Sequence, residues 1–119
     1  MTNPTPRRNL PLWILTGLLA LIFVMTGSSK VGSVPPSPAN FARWGFSPAF
    51  MFLIGAVEIV GAVGLLFRRT AFLASLLLIA TMIGALKTGI AYHEALHIIL
   101  PSVLLILLGA VAYMRRPNA

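Results

Sequence analysis

Residues able to do acid–base or metal chemistry are few in this chain, and they fall in two places. The stretch Tyr92-His93-Glu94-Ala95-Leu96-His97 contains H-E-x-x-H, and Glu58 stands alone within LIGAVEIVGAVG. On a helix, His93 and His97 project from one face a turn apart with Glu94 between them, the arrangement that zinc peptidases use. A catalytic zinc needs a third protein ligand. The sequence holds no other histidine, no aspartate and no cysteine, so Glu58 is the one remaining carboxylate. It lies on the order of 10 Å away in depth by helical rise. A metal-dependent enzyme on His93-Glu94-x-x-His97 is therefore a remote alternative, and the expected metal content is none. A weakly held zinc or nickel on His93, His97 and water is the most the pair supports. Haem is not expected, because histidines at i and i+4 cannot reach opposite faces of one porphyrin, and without cysteine no iron–sulfur cluster is expected.

The elements that position these groups follow from composition. Of 119 residues, 58% are hydrophobic and only 9% are charged. A soluble domain carries roughly 25% charged residues, so the solvent here is lipid. The net charge of +7 is distributed as pairs between apolar runs, Arg7-Arg8, Arg68-Arg69 and Arg115-Arg116. That is the pattern of membrane flanks, whereas a nucleic-acid surface needs its charges on one water-exposed face. No nucleic-acid partner is expected.

Four apolar segments, each near the roughly 20 residues of a spanning helix, predict helices over about 10–28, 49–67, 71–87 and 96–114. The fold class is all-α: a four-transmembrane-helix antiparallel bundle forming one domain over 1–119. The first segment is too long for the ~7–15-residue core of a signal peptide and reads as a retained helix. Six arginines on the terminal side against Lys30, Arg43 and Lys87 on the other put both termini in the cytoplasm by the positive-inside rule. The expected location is the plasma (inner) membrane, with multiple passes. Between helices one and two, VGSVPPSPANFARWGFSP places Phe41, Trp44 and Phe46 among polar residues. Aromatic rings so placed favour headgroups, predicting a short interfacial helix or loop.

Glu58 falls near the bilayer midplane, where an insertion scale charges about 2.5–3.5 kcal/mol for a carboxylate. It should face the bundle interior, on a side made narrow by Gly55, Gly61 and Ala62. Counted along the helix axis, Lys30 and Lys87 sit on the order of 10–15 Å above it. A direct salt bridge from either therefore requires a bent helix or a water, and Thr81, at nearly the same depth, is the expected hydrogen-bond donor. Desolvation predicts a largely neutral carboxyl. Glu58, Lys30, Lys87, Thr81 and Gly55 are the candidate ligand-binding residues. His93, Glu94, His97 and Trp44 form a candidate outer vestibule above them, in which Glu94 is expected to favour the positive end of helix four and to pair with Lys87.

At these residues the chain resembles a known family. FVMTGSSKV closes helix one with Gly27-x-x-Lys30, and LIGAVEIVGAVGLLF carries G-x-x-E-x-x-G in helix two. With GFSP between them, the tandem-arginine turn, the proline-containing fourth helix and the Arg-Arg tail, this is similar to the pattern of DoxX-like membrane proteins. Val31 stands where the family pattern has leucine, and the first loop is richer in proline. The resemblance implies a compact four-helix bundle and a link to membrane oxidoreductases and quinone-linked sulfur oxidation. Distant relatives act as receptor-assembly chaperones.

The expected function is a non-catalytic integral membrane protein. It would be an accessory subunit, or a module binding a quinone-like or lipid-like molecule, within a membrane redox or envelope complex. Its partners are the lipid bilayer, a membrane or peripheral oxidoreductase, and a second copy packed through Gly17 and Ala20 or Ala56 and Gly64 as a homo-oligomer. The alternative is a small proton-coupled transporter using Glu58.

Overall fold

The computed structural model describes residues 6–116, with side chains from Leu10 onward. Arg7 and Arg8, used above for orientation, have side chains outside the described residues. The described chain is all-helical, in the order α1 (Pro6–Val31), α2 (Ser37–Arg43), α3 (Pro48–Leu65), α4 (Ala71–Ala91) and α5 (Leu96–Arg115). Four of these helices, over Leu10–Val31, Pro48–Leu65, Ala71–Ala91 and Leu96–Arg115, are long and apolar enough to cross a bilayer. At about 1.5 Å per residue, helices of this length match a hydrocarbon core of about 30 Å.

Local sequence sets the ends. Pro48 opens α3 where a missing N–H costs nothing, and the Ser47 Oγ accepts the Phe50 amide at 3.1 Å. Thr70 donates to the Gly64 carbonyl at 2.7 Å, satisfying one orphan acceptor at the end of α3. Gly45, at φ 81°, turns the chain out of α2. The seven-residue α2 is the short helix that the aromatic loop predicts. α1 and α4 overrun their predicted ends by about a turn, α1 to Val31 and α4 to Ala91.

Packing divides the bundle into two sequential halves. α1 lies against α3, α4 lies against α5, and α3 against α4 joins them. Each helix buries one stripe, as in Met51, Gly55, Glu58, Ala62 and Leu65 of α3, which recur at three- and four-residue steps. The core is built from Leu12, Leu19, Phe23, Ala62, Leu65, Leu78, Leu108 and Val111. Leu18, Leu21, Val60, Leu73, Ile83 and Ile106 face outward, as a lipid-facing surface requires. The start of α1 and the end of α5 lie at one end of the bundle, the terminal end, where Arg115 meets Trp13. α2 covers part of the opposite end.

Candidate functional site

The site begins with a close approach of two backbones. A Cβ built on Gly27 would lie 2.7 Å from the Gly55 carbonyl oxygen and 3.2 Å from the Glu58 Cβ. No side chain fits there, so α1 rides directly over the face of α3 that carries Glu58. The Glu58 side chain is buried, at 3% exposure, and Lys30 Nζ donates to its Oε1 at 2.9 Å. Thr26 Oγ1 donates to the same oxygen at 3.1 Å. The Lys30 ammonium also lies 3.4 Å from the Thr26 carbonyl.

A direct Lys30–Glu58 bridge corrects the expectation that depth would keep them apart. Helical Cα–Cβ bonds tilt toward the N-terminus of their own helix. In the antiparallel α1–α3 pair that tilt carries Lys30 toward the middle and Glu58 toward the α2 end, so the two converge. The glycine contact shortens the remaining gap. Glu58 is met by the Lys30 side chain and Thr26, where Thr81 is the donor that depth alone suggests.

Thr81 is corrected as well. It lies half-buried on the flank of α4, and its hydroxyl donates to the Leu77 carbonyl at 3.0 Å. Glu58 points toward α1, whereas α4 approaches α3 at Gly61 through Leu78. Lys87 is exposed, one turn inside α4 because that helix continues to Ala91, and Glu94 is engaged elsewhere. Of the candidate ligand-binding residues, Lys30, Glu58 and Gly55 are brought together.

The second cluster ties α2 to the α4–α5 turn. Arg43 grips Glu94 with two bonds, Nε to Oε2 at 2.9 Å and Nη2 to Oε1 at 2.7 Å. The Trp44 indole N–H donates to Oε2 at 3.1 Å, and His97 Nδ1 lies 3.1 Å from Oε1. The rings of Trp44 and His97 meet edge to face at 4.9 Å. Tyr92 adds a hydroxyl bond to the Trp44 carbonyl at 3.1 Å. Glu94 therefore precedes α5 but spends its charge on α2; the residues of the first turn of α5 include no acid. The hydrogen bonds from Arg43, ahead of that from Trp44, hold the Glu94 carboxyl at about 2, below its ordinary 4.5. The same bonds raise Arg43 further above its ordinary value. His93, at φ 55°, sits exposed in the turn. Among the described residues no group of three metal-ligating side chains converges.

Three of the residues that build these clusters, Thr26, Arg43 and Tyr92, were not assigned such contacts from sequence. Thr26 carries a readable signal, one turn before Lys30 on the same face of α1. Arg43 carries a weaker one, as the only cation in the first loop of a chain with just two acids.

The model of the DoxX-like family matches residues 14–111, from within α1 into α5 and across both clusters. No curated protein and no solved structure matches the chain.

Proposed function

The chain belongs to the DoxX-like family, and from that premise we propose a non-catalytic, multi-pass subunit of the plasma membrane with cytoplasmic termini. It binds a quinone-like or lipid-like molecule at its α2 end and serves a membrane or peripheral redox or envelope complex. The observation that carries this reading is the commitment of both carboxylates. Glu58 is held by Lys30 and Thr26, and Glu94 by Arg43 and Trp44. A general base or nucleophile needs an accessible lone pair beside its substrate; carboxylates anchored to cations on other elements suit recognition instead.

Lys30 supplies the recognition chemistry. An ammonium has three donors. Glu58 and the Thr26 carbonyl take two, and the side chain keeps 17% exposure. The third donor suits a carbonyl of a quinone or a lipid ester arriving along α1. Gly55 and Glu58 fix the Lys30 geometry. Trp44, His93, Glu94 and His97 rim the approach.

The test extracts the full chain with its native lipid into nanodiscs and identifies small molecules by mass spectrometry. A quinone or a single enriched lipid, lost in Lys30→Met while helicity is kept, is the expected result. Identical bulk lipid around both proteins would refute it. A co-purified dehydrogenase identifies the complex.

One observation favours a second reading, proton-coupled transport. Protonating Glu58 would release Lys30 inside the bundle, which is a way to couple a proton to a conformational change. Proton-driven uptake by proteoliposomes that disappears in Glu58→Gln would support it, and its persistence would exclude it.

A further inference from the structure

The terminal end of the bundle holds an excess of positive charge. Arg68 and Arg69 lie in the α3–α4 turn, and Arg115 and Arg116 lie at the end of α5. The two side-chain carboxylates of the chain are both engaged elsewhere, on Lys30 and Arg43. Arg115 lays its guanidinium over the Trp13 ring at 4.5 Å. Its Nε and Nη2 are buried and have no hydrogen-bond partner among the described residues. Arg115 as a whole is half-buried, but buried donors are costly to leave unmade, and Arg68 is close enough to repel its charge. Arg116, by contrast, is satisfied on its own helix, over the Tyr113 ring at 3.9 Å and on the Tyr113 carbonyl at 2.8 Å.

An apolar groove of about 370 Å³ runs between α3 and α4 at this same end, lined by Val60, Val63, Phe67, Leu73, Ala74 and Leu77. Arg68 follows Phe67 directly in the chain, so the groove opens beside the cationic end. Planar guanidinium donors match phosphate oxygens, and a hydrocarbon groove matches an acyl chain. Basic pockets at the ends of membrane helices are physically suited to anionic headgroups.

We infer that the terminal end binds an anionic glycerophospholipid, with its phosphate on Arg115 and Arg68 and an acyl chain along the α3–α4 groove. The site is distinct from the α2-end cluster, at the other end of the bundle, and stands independently of the function proposed above.

The experiment titrates the full chain, purified in mild detergent and stripped of lipid, with phosphatidylglycerol, phosphatidylcholine or inorganic phosphate. Bound ligand is read by native mass spectrometry. Phosphatidylglycerol is expected to bind most tightly. Arg115→Gln loses at least about tenfold, as expected for bonds to a charged group, whereas Arg116→Gln loses about fivefold or less, the share of one nearby charge. Val63→Trp, which fills the groove and touches no charge, weakens phosphatidylglycerol while leaving helicity intact. Equal losses in Arg115→Gln and Arg116→Gln would mean unspecific attraction and overturn the site. So would equal binding of the two lipids, or unchanged binding by Val63→Trp. Inorganic phosphate bound as tightly as phosphatidylglycerol would overturn the lipid assignment. Should Arg115→Gln not fold, Val63→Trp and the lipid comparison decide by themselves.

Discussion

Gly27 and Gly55 stand backbone against backbone: a Cβ on either would lie 2.7 Å from the carbonyl oxygen of the other. Neither carbonyl can move without disturbing its helix, so the contact has no flexible partner to yield. Gly27→Ala or Gly55→Ala should destabilise the protein by about 1–3 kcal/mol, the usual cost of overpacking. Gly17→Ala, where a Cβ meets nothing within 4 Å, should leave stability unchanged or slightly raised. Denaturation in mixed micelles compares the three, and equal behaviour would disprove the close approach.

Lys30 and Glu58 should behave as a coupled pair. Lys30→Met strands a carboxylate in the bundle at a cost of about 3 kcal/mol, the low end for breaking a buried pair, since Lys30 keeps 17% exposure. Adding Glu58→Gln removes the stranded charge and should restore part of the loss. A double-mutant cycle reads the coupling directly. Strictly additive losses would mean that the two side chains do not interact.

Acid should open the α2 clasp late. Glu94 titrates at about 2 against an ordinary 4.5. A carboxylate depressed by folding contributes stability that is complete above the unfolded value and is lost as pH falls through the folded one. The clasp should therefore hold at neutral pH and down to about 4.5, then fail toward 2. Fluorescence of Trp44 in a Trp13→Phe background follows the transition. Arg43→Gln removes the largest cause and should move the midpoint upward, toward 4.5; an unmoved midpoint would show that Arg43 does not hold the carboxylate.

Zinc should find no tight site. His97 is occupied by Glu94 and Trp44, and His93 sits in the turn with left-handed backbone. Calorimetric titration with zinc should give the same weak response from the wild type and from His97→Ala. A stoichiometric, high-affinity heat abolished by His97→Ala would reinstate the metal reading.

What was legible in the sequence depended on one-dimensional signals. Apolar runs gave the four spans, because lipid tolerates little else. Proline and clustered aromatics marked α2. The depth and small-residue face of Glu58 announced a buried group. The partners were harder. Axial rise alone put Lys30 too far from Glu58, because opposed side-chain tilts and a glycine contact are properties of a helix pair. Thr81 shares the depth of Glu58, but depth says nothing about azimuth, and its hydroxyl turns to Leu77. Arg43 and Glu94 are 51 residues apart, and nothing local to either names the other. Lys87 reads as the end of its helix, whereas α4 runs one turn further than its apolar run suggests.

That separation has a temporal meaning. Arg43 leaves the ribosome after α1 and before α3, in the first half of the chain. Glu94 follows only after all of α4, in the turn before α5. The bond between them cannot form until α1 to α4 have all been made, so its closure reports that the chain has reached the threshold of α5.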